Sequence, residues 1–177
     1  MDLDNLKIDL KGLSDGLNSF AFDLDDAYFK AIDAPEVSRG SVHVELDIVR
    51  HTDDDFTLTF KEKGMVIVPC DICLEDMEQE IETEQQLNAK FGNENSEEDD
   101  LVTVAENEGM LDVSWYVYEF ILLALPIKHV HAPGKCNAVM TKKLQELSAT
   151  RSSLEDGEKP VNPRWAGLEK LKTIIKD

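Results

Sequence analysis

The chain has 177 residues, 42% of them apolar, which is enough for one well-packed domain with an appended segment. Its formal charge of -19 makes the surface self-repelling and hostile to phosphate backbones. That argues against direct nucleic-acid binding and points to basic proteins or cations as partners. The longest apolar run, Phe120 to Leu125, is far too short to span a bilayer. The acidic start, Met1-Asp2-Leu3-Asp4, lacks the basic segment and apolar stretch of a secretory signal. Three cysteines, an odd number, do not make a secreted disulfide framework, so the expected location is cytoplasmic.

In chain order, Lys7 to Leu10 reads as a short strand followed by a turn at Gly12 and Gly16. Ser19 to Leu24 alternates around Phe20, Phe22 and Leu24 and suits a strand. Asp25 and Asp26 then cap a short helix through Tyr28 to Ile32, stopped by Pro35. Ser41 to Arg50 alternates polar and apolar almost strictly, and Phe56 to Phe60 followed by Gly64 to Val68 continues the pattern across a turn. These are expected to be antiparallel strands with one wet face, where His43 and His51 lie as surface residues rather than ligands.

Met77, Gln79, Ile81, Thr83, Gln85, Leu87, Ala89 and Phe91 share one side of a period of two, and Glu78, Glu80, Glu82 and Glu84 share the other. The spacing predicts a long strand with an acidic face. Helix competes through the helix-forming Glu and Gln, but Met77, Ile81, Leu87 and Phe91 fit the strand period better. Gly92 to Asp100 has the composition of a flexible acidic loop. Thirteen acidic residues stand against one Lys between Glu75 and Glu108, either as a solvated face or as a docking surface for a basic partner.

Asp112 or Ser114 can cap the next helix, whose face at helical spacing carries Trp115, Tyr118, Ile121, Leu122 and Leu125, mostly buried and ending at Pro126. Ile127 to His131 is expected to be extended, and Asn137 to Ala149 helical. The expected organisation is one α+β domain over residues 1–149, with a twisted, mainly antiparallel sheet and a central helix. A polar linker follows over 150–161, then a basic amphipathic helix over 162–177 with Asn162 as cap and Pro163 at its first position.

Two elements carry the chemistry. Pro69-Cys70-Asp71-Ile72-Cys73-Leu74 places two thiols three apart, so a turn can present both sulfurs to one point. More than fifty residues later, His131 and Cys136 flank Ala132-Pro133-Gly134-Lys135, a turn sequence that can bring imidazole and thiol together. All three cysteines of the chain fall in these two elements, so Cys70, Cys73, His131 and Cys136 are read as one metal site. His129, two residues before His131, is the rival imidazole, and His131 is preferred. Thiolate plus imidazole suits tetrahedral zinc, in a closed and therefore structural shell. A redox dithiol is the competing chemistry, but Asp71, Glu75 and Asp76 crowd the pair with negative charge, which disfavours a free thiolate and favours a bound cation.

These pieces, in this order, resemble the YceD-like family of large ribosomal RNA subunit accumulation proteins. The residues that carry the resemblance are Val68-Pro69-Cys70-Asp71-Ile72-Cys73-Leu74, Leu122-Leu123-Ala124-Leu125-Pro126, the turn from His131 to Cys136, and Asn162-Pro163 through Leu168, Leu171 and Lys172. Ile72 stands where an Arg often precedes the second cysteine. The resemblance implies a role in large-subunit ribosomal RNA accumulation and ribosome assembly without catalysis. With the charge of -19, that role is expected to run through a basic ribosomal or assembly protein rather than through the RNA itself. The sequence holds no Gly-rich phosphate loop, nucleophile elbow or Ser/His/Asp arrangement. The alternative is a metal-dependent hydrolase or nuclease, which needs an open coordination position for a water.

Overall fold

The structure, a computed structural model, describes residues 3–51, 54–98 and 101–147. The chain divides into two compact units, Met1–Lys142 and Lys143–Asp177. The described part of the second is the end of one helix. The expected linker over 150–161 and basic helix over 162–177 lie outside the described residues.

A single 3-10 turn, Leu3–Leu6, leads into β1 (Lys7–Asp9), which pairs antiparallel with β8 (Met110–Asp112) as a two-stranded sheet. The main sheet has six strands. It is built from β2 (Gly16–Leu24), β3 (Arg39–Arg50), β4 (Asp55–Pro69), β5 (Asp76–Gly92), β6 (Ser96–Glu98) and β7 (Leu101–Ala105), in the order β2-β3-β4-β5-β7-β6. Every adjacent pair is antiparallel except β5 with β7, which run parallel from Asn88↔Leu101 to Gly92↔Ala105. With helices segregated from a largely antiparallel sheet, the fold is α+β.

The period-two pattern decides which face is covered. Val42, Val44, Leu46 and Ile48 of β3 and Phe56, Leu58, Phe60, Val66 and Val68 of β4 are all buried. They pack under α1 (Asp26–Ile32) and α2 (Ser114–Ala124), which contribute Tyr28, Phe29, Val117, Tyr118 and Ile121 to the same core. The α1 N-terminus is capped as the sequence predicts, Asp25 Oδ1 accepting from the Ala27 and Tyr28 N–H groups. Polar bonds inside the core tie α1 and the segment after it to α2. Tyr28 donates its hydroxyl to the Ser114 carbonyl at 2.8 Å, and the Val37 N–H donates to the Tyr118 hydroxyl at 3.2 Å.

Four expectations need correction. The turn expected between Phe60 and Gly64 does not form, because β4 is one continuous strand of 15 residues in which Lys61 and Lys63 point outward and Glu62 points into the core. Gly64 is not a breaker there but a point of close approach: a Cβ on it would stand 2.2 Å from the Ser41 carbonyl oxygen. The acidic loop from Gly92 to Asp100 contains strand β6, which pairs with β7 through Ser96↔Thr103 to Glu98↔Leu101. The cap position of α2 is Val113, whose side chain makes no capping bond. Asp112 Oδ1 accepts instead from the Ser114 N–H at 2.9 Å and hydroxyl at 2.6 Å. Trp115 is not a buried member of the α2 face but is half exposed, its indole N–H donating to Glu119 at 2.7 Å.

The last described helix is α3 (Ala138–Leu147), within the span expected to be helical. Asn137 caps it, its side-chain oxygen accepting from the Val139 N–H at 2.9 Å and the Met140 N–H at 3.2 Å. No helix among the described residues is long and apolar enough to cross a membrane.

Candidate metal centre

Cys70 to Glu75 is the whole connection between β4 and β5. The connection closes on itself, the Cys70 N–H donating to the Glu75 carbonyl and the Leu74 N–H to the Cys70 carbonyl, both at 2.9 Å. Leu74 completes the reversal in the left-handed region, with φ of 61°. This conformation costs a β-carbon-bearing residue roughly 1 kcal/mol or more. The result is that the side chains of Cys70 and Cys73 turn to one side, with the Ile72 N–H approaching the Cys70 sulfur at 3.5 Å.

The second half arrives after α2 and is fastened to the first by Asp71. The Asp71 N–H donates to the His129 carbonyl at 3.0 Å, and the His129 N–H donates back to the Asp71 carboxylate at 2.8 Å. The His129 ring lies 3.6 Å from the same carboxylate through Nε2. His129 is thereby engaged beside the cluster, and His131, two residues on, is the imidazole that reaches it. The chain then reverses through Ala132-Pro133-Gly134-Lys135, where the Lys135 N–H donates to the Ala132 carbonyl at 2.9 Å and Gly134 has φ of 81°. Pro at the second position and Gly with positive φ at the third are the requirements of a type II turn. The reversal delivers Cys136, and Asn137 then ties back to Glu75 with a side-chain hydrogen bond of 2.6 Å.

The four side chains singled out in the sequence therefore meet. One ligand atom from each of Cys70, Cys73, His131 and Cys136 lies within 4.8 Å of all the others. The Cys70 and Cys136 sulfurs are 3.8 Å apart, and the Cys73 sulfur is 3.4 Å from His131 Nδ1. A disulfide would need about 2.05 Å, so the sulfurs are not bonded. Two sulfurs sharing a tetrahedral ion at about 2.3 Å stand about 3.8 Å apart, and a sulfur and a nitrogen about 3.5 Å apart. Both separations match, so the donor set fits a four-coordinate cation. Cys70 is fully buried and Cys73 is 3% exposed, which shields the cluster on the sheet side.

Burial pushes the Cys70 thiol up, but N–H groups of Cys73, His131 and Ile72 and the His131 side chain outweigh it and bring it down to about 6. Burial and the neighbouring Cys70 and Cys73 sulfurs push Cys136 the other way, to about 11. The two thiols are thus pushed in opposite directions. A divalent ion would displace the thiol protons, since thiolate is the form that ligates. In the sequence, Asp71 and Glu75 count only as nearby negative charge. Their hydrogen bonds to His129 and Asn137, which clip the two halves together, depend on contacts across the fold.

The family profile described as "Large ribosomal RNA subunit accumulation protein YceD" matches residues 58–172. The chain belongs to this family. The YceD match begins within β4 and takes in both halves of the Cys/His cluster, α2 and α3. No curated protein and no solved structure matches the chain.

Proposed function

We propose that this protein is a non-enzymatic cytoplasmic factor for accumulation of large-subunit ribosomal RNA and for ribosome assembly. In this reading it acts through a basic ribosomal or assembly protein, with one structural zinc held by Cys70, Cys73, His131 and Cys136. Membership of the YceD family carries the ribosomal part of the reading. Charge carries the part about the partner. With -19 overall, the surface is unsuited to gripping RNA phosphates but suited to the basic proteins that do. An exposed anionic track runs along the outward face of β5, where Glu78, Glu80, Glu82 and Glu84 recur at every second residue.

Zinc is the cation that three thiols and one imidazole at tetrahedral separations suit best. Its task is to join the β4–β5 connection to the segment after α2, two pieces of chain otherwise linked chiefly through Asp71 and Glu75. Four protein donors complete a tetrahedral shell and leave no position for a reacting water, which disfavours the hydrolase alternative. The test of the partner reading is capture of purified large-subunit ribosomal proteins by the wild type and by a variant with Glu78, Glu80, Glu82 and Glu84 all changed to Gln. The reading requires capture by the wild type and its loss in the variant. Equal capture by both would refute it.

A further inference from the structure

β5 is a strand with half a neighbour. Its register with β4 runs the whole length, Asp76 to Lys90 against Pro69 to Asp55, but β7 covers only Asn88 to Gly92 on the other side. From Asp76 through Leu87, β5 has no strand partner on its outer side among the described residues. Alternate residues of an edge strand turn their N–H and C=O groups outward, which makes the edge a template for another strand. The Gln79 side-chain amide donates to the Glu80 carbonyl at 2.9 Å, a side chain bonding where a neighbouring strand would.

Both flanks of this edge are set up for positive charge. On the outer face, Glu82 is paired with Lys63 at 3.1 Å, whereas Glu78, Glu80 and Glu84 have no ion pair among the described residues. Carboxylates at every second residue are about 6.8 Å apart, the spacing of same-face side chains on an added strand. On the inner face Gln79, Thr83 and Gln85 are half-buried and alternate with the apolar Met77, Ile81 and Leu87. Directly across from Thr83 on β4 sits Glu62, 1% exposed, with neither carboxylate oxygen hydrogen-bonded. An added strand would run about 10 Å from β4, within the combined reach of Glu62 and an inward Lys or Arg. A second copy of this chain is a poor occupant, because its own β5 would set Glu against Glu.

We infer that the free edge of β5 from Asp76 to Leu87 takes up an extended basic segment of the partner as an added strand, with Lys or Arg at alternate positions facing the β5 glutamates and an inward one meeting Glu62. This inference rests on the reading of the protein as an acidic factor that captures a basic partner, and specifies how the capture is made. Backbone pairing would supply affinity and the alternating charges would supply register, as in other strand-addition complexes.

The probes are synthetic peptides of eleven residues alternating Lys and Thr, with blocked ends. One is unmodified. A second is N-methylated at alternate residues, which keeps the charge but removes outward N–H donors, and a third has the central inward Thr replaced by Lys. Binding to the full chain is measured by calorimetry, and amide exchange is followed along Asp76 to Leu87. Strand addition requires the unmodified peptide to slow exchange in Asp76 to Leu87 and to bind at least tenfold tighter than the N-methylated peptide. It also requires the third peptide to bind tighter than the first, an advantage lost in Glu62→Gln. Equal binding of all peptides with no protection, abolished by changing Glu78, Glu80, Glu82 and Glu84 to Gln, overturns strand addition and leaves the acidic-capture reading standing. No binding of any basic peptide overturns both.

Discussion

Glu62 gives the sharpest quantitative prediction. Its carboxyl is buried among core residues of β4, opposite Val44 and Thr83, and that burial pushes it up to about 8 from an ordinary 4.5. The folded state therefore holds a proton on Glu62 at neutral pH that the unfolded state has released. Stability falls as pH rises wherever the folded state binds more protons, so the contribution of Glu62 is fully present below pH 4.5, declines through the interval, and is lost above pH 8. The slope is about 1.4 kcal/mol per pH unit inside the interval, so at pH 7 the wild type carries a penalty of about 3 kcal/mol relative to a neutral side chain of the same shape. Glu62→Gln removes the ionisation and keeps the volume. In urea unfolding, its advantage over the wild type should grow by about 2–3 kcal/mol between pH 5.5 and pH 7.5, a difference from which the other carboxylates cancel. A stability difference that stays flat across that range would refute the assignment of Glu62 as a buried, unpartnered acid.

Three further outcomes follow from local geometry. Gly64→Ala puts a carbon 2.2 Å from the Ser41 carbonyl and 2.6 Å from the Val42 Cα, both backbone, so β3 and β4 must part; thermal unfolding should show a loss of about 3 kcal/mol or more. Leu74→Gly relieves a left-handed residue whose side chain is mostly exposed, and should stabilise the folded protein, or cost nothing, within about 1 kcal/mol. Alanine at the same position, which keeps the β-carbon, should show no such gain. Metal affinity measured by competition with a chromogenic chelator should fall as pH falls, because the thiols must be deprotonated to ligate, with Cys136 starting from about 11.

Much of the fold could be read from alternation. β3 and β5 carry long period-two patterns, and both form over the expected residues. β4 runs on through Glu62 where the sequence suggests a turn, for a physical reason: a charged residue at a core position breaks the hydrophobic count, and sequence does not reveal that burial favours its neutral form. The parallel pairing of β5 with β7 and the free edge it leaves are matters of strand order, which no local pattern encodes. At the cluster, residue chemistry brought out Cys70, Cys73, His131 and Cys136, because all the cysteines fall in two turn-forming segments. In the fold Asp71 engages His129, and His131 faces Cys73. The left-handed Leu74 left no mark in the sequence, since glycine is the usual residue there and its absence reads as ordinary chain.

The central claim is that one cation at Cys70, Cys73, His131 and Cys136 joins the β4–β5 connection to the segment after α2. The most direct test is metal content by mass spectrometry on protein purified without chelator, beside a Cys70→Ser, Cys73→Ser double variant. The account predicts about one zinc per chain in the wild type and none in the variant, as befits a four-ligand structural site. A well-folded wild-type protein with no bound metal would contradict it.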